Sequence, residues 1–164
     1  MITKTFLGLL LPLVVVSTAV WAQAPGEVVK AKVTMAQGVA RPDSIVKAAV
    51  EVEVLPGYHI NDHHPTLDYL IPTEVKLDPI KEVTGKNIIY PKGELRKFAF
   101  SDTPLSVYEG KVQVEVALQL DRKALPGDYE VKGKLAYQAC NDHACLPPTS
   151  VPLSFPFKVA RHGD

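Results

Sequence analysis

Cys140 and Cys145 are the only two cysteines of the chain, and four residues separate them in YQACNDHACLPP, residues 137–148. Two thiols this close support three chemistries: a permanent disulfide, a thiolate metal clip, or a dithiol that opens and closes by exchange with other thiols. The staple reading is weak on energy. Closing so short a loop restricts the unfolded chain little, and the loop-entropy relation gives about 2 kcal/mol, the low end of the usual range. The metal reading draws on more residues. CNDHAC offers Cys140, His143 and Cys145, and GYHINDHHP offers His59, His63 and His64, a mixture of thiolate and imidazole that suits copper or zinc. It requires both thiols to stay reduced. The histidines also lie among Asn, Asp and Pro, where solvated loop residues are expected, and His59, between Tyr58 and Ile60, reads as the end of a strand. Asp142 and His143 adjoin the cysteines and are candidates for tuning their pKa, an acidic group raising it and a cationic imidazole lowering it. On residue types alone the three readings stay open.

The elements that must position this pair are strands. After residue 27 the dominant hydrophobic period is two, the signature of half-buried strands. Val29, Ala31, Val33 and Met35 share one face, as do Val46, Ala48, Val50, Val52 and Val54, with Glu51 and Glu53 opposite. The same scheme holds for Val112, Val114, Val116, Leu118 and Leu120, and for Tyr129, Val131, Leu135 and Tyr137. Val151, Leu153, Phe155, Phe157 and Val159 face one way, and Pro152 and Pro156 the other, which suits an edge strand. TEVKLD and NIIYP add shorter strand candidates. Turn signals stand at Pro56-Gly57, Asp78-Pro79, Pro91-Lys92-Gly93 and Pro126-Gly127. No segment has convincing helical periodicity. About seven two-faced strands imply an all-β, antiparallel β-sandwich. Residues 55–70 and 91–108 read as long connections, where function concentrates. In YEVKGKLAYQAC the even positions are polar, so Cys140 is expected to continue the outward set and lie at an accessible strand end.

The first 22 residues are expected to be a cleaved secretory signal peptide, leaving residues 23–164 as one domain. An early Lys4, an apolar run from Phe6 to Val16 and small residues ending at Ala22 make up its three parts. Without Lys4 the 18 basic residues fall to 17 against 18 acidic ones, a balance that attracts neither nucleic acid nor anionic lipid over a distance. An exported chain meets an oxidising compartment, where one cysteine pair can be a disulfide. No Gly-rich phosphate loop, paired-carboxylate motif or nucleophile–base set stands out.

The segment AYQACNDHACLPPTSVPLSFPF resembles the cysteine segment of the N-terminal periplasmic domain of DsbD-type thiol:disulfide interchange proteins. The shared features are Tyr137-Gln138 before the first cysteine, a short Asp-containing spacer, Pro147-Pro148 after the second, and Val151-Pro152-Leu153. PGYHINDHHPTLDYLIPTEVKL and YPKGE at 90–94 extend the resemblance over nearly the whole mature chain. It implies an immunoglobulin-like β-sandwich with a redox disulfide at one end and a protein-disulfide reductase-like exchange activity. Electrons would pass from a thioredoxin-like protein or domain, or a membrane electron carrier, to oxidised periplasmic proteins. It further implies that Cys145 forms the mixed disulfide and Cys140 resolves it. An aromatic cap loop should cover the pair, with Phe98 or Phe100 of LRKFAFSDTPL as the cap, although the adjacent aromatics and following glycine of the best-known cap pattern are missing here. No organic cofactor and no metal are implied, because two thiols carry the two electrons. The chain shows neither the multi-helix membrane section nor the thioredoxin-like domain of the full-length family, so the resemblance implies a stand-alone version or one with a changed partner. The alternatives are a partner-binding sandwich with a structural disulfide, and a copper or zinc protein.

Overall fold

A computed structural model describes residues 27–161; the expected leader, residues 1–22, lies outside the described residues. Twelve strands follow one another: β1 (Val29–Met35), β2 (Val39–Ala40), β3 (Ile45–Val54), β4 (His59–Asn61), β5 (Glu74–Leu77) and β6 (Val83–Ile89), then β7 (Glu94–Arg96), β8 (Leu105–Tyr108), β9 (Lys111–Leu120), β10 (Gly127–Tyr137), β11 (Ala139–Cys140) and β12 (Thr149–Val159). No helix occurs among the described residues. The strands form three sheets of four, ordered β1-β3-β9-β6, β2-β12-β10-β5 and β11-β4-β8-β7. All pairings are antiparallel except the short β2–β12 contact. This is the all-β, immunoglobulin-like sandwich expected from the sequence.

Period-two patterning builds the two large sheets. Val46, Val50, Val52 and Val54 of β3, Val114, Val116, Leu118 and Leu120 of β9, and Val151, Leu153, Phe155, Phe157 and Val159 of β12 are all buried in one core. Alternate residues meet solvent, and there the register sets Lys30 and Lys111 on either side of Glu53, with Lys32 opposite Glu51. Exposed pairs of this kind contribute little stability, but opposite charges across the ladder favour this register over a slipped one. Pro152 and Pro156 of β12 point outward; β2 reaches only Lys158 and Val159, so the prolines fall where β12 is an edge. The edge expectation therefore holds for most of the strand and fails at its last two residues.

The larger difference lies in the presumed connections. Residues 55–70 contain β4, and residues 91–108 contain β7 and β8. Strands of two to four residues are too short to show a period, which is why about seven strands were expected and twelve are found. Together with β11 these pieces make the third sheet, and that sheet carries Cys140.

Gly133 of β10 sits between Leu77 of β5 and Leu153 of β12. A Cβ there would run into the Lys76 carbonyl oxygen and lie 2.9 Å from Leu77 Cδ2. Gly133→Val is expected to cost about 2 kcal/mol through overpacking, read as a lower urea midpoint. An unchanged midpoint would mean that β5 moves away freely.

Candidate functional site

The CNDHAC segment is a tight hairpin whose backbone puts the two cysteines face to face. Asn141 N–H donates to the Ala144 carbonyl at 3.0 Å and Leu146 N–H to the Ala139 carbonyl at 2.8 Å. These two bonds flank the Cys140–Cys145 bridge, which makes it a non-hydrogen-bonded antiparallel pair, the position where opposed side chains come closest. The Cα atoms are 3.9 Å apart and the sulfurs are bonded. The turn is held by the Asn141 side chain, whose Oδ1 accepts from the His143 and Ala144 N–H groups at 2.9 and 2.8 Å. An Asx side chain that mimics backbone in this way is a strong local turn signal.

The two sulfurs have different surroundings. Cys140 is 3% exposed, whereas Cys145 is exposed, as are Asp142, His143 and Ala144. The expectation that Cys140 continues the outward phase of β10 is therefore wrong. The β10–β12 ladder ends at Tyr137↔Thr149. Gln138 leaves the ladder, and its Nε2 donates to the Leu146 carbonyl at 3.2 Å. The chain then changes sheets and pairs with β4 as Ala139↔Ile60 and Cys140↔His59. A strand that changes sheets loses its former odd–even phase, so accessibility moves to Cys145.

His59 reads from the sequence as the end of a strand, and it does lie at the end of one. It is 3% exposed and opens β4. Its ring stacks on Phe98, with centroids 4.2 Å apart. Phe98 is buried with Leu105 and Val107, against Leu67 and Leu70, and a turn is closed by Ser101 N–H donating to the Phe98 carbonyl. Phe100 stacks on the outer side of Phe98 at 5.2 Å and is 54% exposed. Of the two cap candidates, Phe98 therefore covers the residue paired with Cys140, and Phe100 extends that cover into solvent. Burial lowers the His59 pKa, while the Glu109 and Asp142 carboxylates work in the opposite direction. Glu109 is also bound to Arg96 at 2.8 Å. A cleft of about 370 Å³ lined by Tyr58, His59, Glu109 and Asp142, among others, opens beside this group.

The third sheet is tied together by Asp62, which is 7% exposed. Its carboxylate accepts from Tyr108 Oη and Ser106 Oγ, both at 2.7 Å, from Gly93 N–H at 3.1 Å and from His64 N–H at 3.2 Å. Burial by itself would raise the Asp62 pKa; these four bonds outweigh it and hold the carboxyl below its ordinary value. Tyr108 feels the reverse, since burial and the neighbouring carboxylate push its phenol well above the usual range. Gly93 is glycine for space: a Cβ there would lie 2.6 Å from Asp62 Oδ2. The remainder of YPKGE is used as well. The Pro91 carbonyl lies 2.9 Å from Tyr108 Oη, Tyr90 Oη accepts from Val75 N–H at 2.8 Å, and the Tyr90 ring stacks on His63 at 3.6 Å.

Among the described residues no three His, Cys, Asp or Glu side chains converge as a metal-ligand set. His63 is occupied by Tyr90 and by the Thr73 carbonyl, 3.0 Å from its Nδ1. His64 and His143 are exposed. Cys140, Cys145, His59 and Phe98 do come together; Asp142 reaches the group only through its effect on His59. Asp62 and Glu109 were not singled out from sequence. An acid inside HINDHHP looks solvated until its four donors are seen, and Glu109 carries no local signal at all.

The family profile described as thiol:disulfide interchange protein DsbD, N-terminal, matches residues 24–154. No curated protein matches the sequence. Among solved structures, the N-terminal periplasmic domain of ScsB from Proteus mirabilis is similar in fold, with 16% identity and a TM-score of 0.56 over 77% of this chain; the chain spans 45% of that one. The reduced DsbD N-terminal domain of Neisseria meningitidis is 22% identical, with a TM-score of 0.40 over 68% of this chain and 80% of its own. A structure of the complex between the DsbD and PilB N-terminal domains from the same organism gives 20% identity and a TM-score of 0.45, over 81% and 86%.

Because the folded-state pKa of Asp62 lies below the unfolded one, its contribution is present above the ordinary carboxylate range and is lost as pH falls through the folded value. Asp62→Ala is expected to cost about 3 kcal/mol at pH 7, since several buried donors lose a charged acceptor. Asp62→Asn should also flatten the fall in stability below about pH 4. Urea unfolding at pH 7, 4 and 3 checks both; parallel pH curves for wild type and Asp62→Asn would contradict the role of the carboxylate.

Proposed function

The chain belongs to the family of DsbD N-terminal domains, and on that footing we propose that it is an exported thiol–disulfide exchange domain. It relays electrons between a thioredoxin-like or membrane-borne donor and oxidised periplasmic proteins. Residues 1–22 direct export and residues 23–164 form the working domain. The three-part leader and the family's periplasmic setting support that location.

The observation that carries the reading is the unequal exposure of the two cysteines, with Cys145 exposed and Cys140 buried. Exchange needs access to one sulfur, and the other then leaves as a thiolate. A partner thiolate attacks Cys145 Sγ, the Cys140–Cys145 bond breaks, and Cys140 leaves as a thiolate. A second partner thiol then frees Cys145, leaving the domain as a dithiol and the donor oxidised. In the opposite half-cycle the Cys145 thiolate attacks an oxidised protein, and Cys140 displaces the mixed disulfide. Cys140 and Cys145 are the reacting groups. Phe98, backed by Phe100, is the cap that must shift for a partner, while Asp142 and His143 set the polarity of the turn that a partner meets.

Cys140→Ser is expected to accumulate a mixed disulfide with a thioredoxin-like protein, and Cys145→Ser at least about tenfold less, because the remaining sulfur is buried. Non-reducing electrophoresis with mass spectrometry reads the adduct. Titration of the wild type against a thiol buffer should place its potential above about −300 mV, outside the range of inert structural bridges. A lower potential with no adduct from Cys140→Ser would make the bridge structural.

A further inference from the structure

The third sheet and the hairpin at its edge gather four side chains that the sequence scatters between residues 59 and 145. Directly opposed residues of an antiparallel pair share a face, with Cβ atoms about 5 Å apart. Cys145 opposes Cys140 in the hairpin, and Cys140 opposes His59. The β4–β8 ladder runs Asn61↔Val107, Ile60↔Tyr108 and ends there; Glu109, the next residue, lines the same cleft as His59, and its carboxylate acts on the imidazole. The row therefore reads thiol, thiol, imidazole, carboxylate. Its outer end is anchored by Arg96, which holds Glu109 at 2.8 Å and Glu94 at 3.4 Å. Its inner part is roofed by Phe98 stacked on His59.

We propose that His59 is the general base for Cys140 in the step in which Cys140 displaces a bound partner, and that Glu109 is a positioning residue that orients the imidazole. The inference rests on the exchange function proposed above. A buried thiol has no water to take its proton, and the neighbouring strand supplies an acceptor. His59 removes the proton from Cys140 Sγ. The thiolate attacks Cys145 Sγ within the mixed disulfide, the bond from Cys145 to the partner sulfur breaks, and the partner leaves as a thiolate with the electron pair. The proton on His59 passes to that thiolate or to water through the cleft beside Glu109 and Asp142. The net change is oxidation of the Cys140–Cys145 dithiol and reduction of the partner disulfide. The charged groups that face His59 are Glu109, which follows β8, and Asp142 of the hairpin. Arg96 of β7 acts through Glu109, and Phe98 contributes no charge. Burial outweighs the two carboxylates and keeps the imidazole neutral, the form a base requires, down to lower pH than a free histidine.

Reduced protein mixed with excess 5,5′-dithiobis(2-nitrobenzoic acid) tests this by stopped flow. Attack by Cys145 releases one nitrothiobenzoate, and displacement by Cys140 releases the second. In wild type the second phase should level off below about pH 7, following the imidazole. In His59→Gln it should slow by about tenfold or more at pH 7 and keep climbing toward the ordinary thiol pKa of about 8.5, with the first phase within about twofold. Glu109→Gln should move the pH midpoint of the second phase downward, because it removes a carboxylate that favours the imidazolium. In the wild type itself, an NMR titration of His59 in the reduced protein should give the same midpoint as the kinetics, a comparison that needs no variant to fold. An unchanged second phase in folded His59→Gln, or an NMR midpoint that differs from the kinetic one, overturns the role of His59 and leaves the exchange function standing. Wild type that never releases the second equivalent overturns the exchange function and this inference together.

Discussion

A carboxylate withdrawn from water is costly unless donors replace the water it lost, and Asp62 is the place where this chain meets that condition. Its oxygens collect the loop after β4 through His64 N–H, β8 through Ser106 and Tyr108, and the segment before β7 through Gly93. Without those bonds, strands of three and four residues have little reason to stay paired; isolated strands this short are marginal even as hairpins. The rest of the end that carries Cys140 depends on them. β4 presents His59, β8 leads into Glu109, and the segment between β7 and β8 carries Phe98. The carboxylate thus holds the scaffold on which Cys140 docks, although it takes no part in the chemistry.

The large sheets do a different job. Their alternating valines, leucines and phenylalanines make a core that includes neither cysteine. The bridge closes a short hairpin that Asn141 already orders. Closing so short a loop contributes about 2 kcal/mol of chain entropy, less than a bridge between distant segments would. Burial on one sulfur and solvent on the other follow from β11 leaving the β10 ladder at Gln138. One residue outside the ladder suffices, because strand side chains alternate with period two and any break in pairing resets which face is inside.

Much of the fold was legible in the chain. The inward residues of β1, β3, β9, β10 and β12 were all read correctly from period two, as was the absence of helical patterning. The cysteine pair and the resemblance of YQACNDHACLPP pointed to the right family. The third sheet was not legible, because β4, β7, β8 and β11, of two to four residues, are too short for an alternation to stand out. For the same reason the phase of Cys140 is misjudged, and Asp62, inside HINDHHP, carries no sign of its role. Polar residues among Asn, Asp and Pro look like loop until their partners are known.

Local pattern by itself determined that this protein is an all-β sandwich, that its only thiols lie in one tight turn, and which residues of the long strands face the core. Those properties depend on neighbours in sequence, through alternation and turn chemistry. Only the tertiary structure decided which sulfur is reachable, what covers the other, and what stands beside it. Cys140, Glu109 and the pair His59 and Asp62 come from three separate stretches, and their alignment depends on strand pairing and on where one strand changes sheets. Backbone hydrogen bonds between distant segments set both.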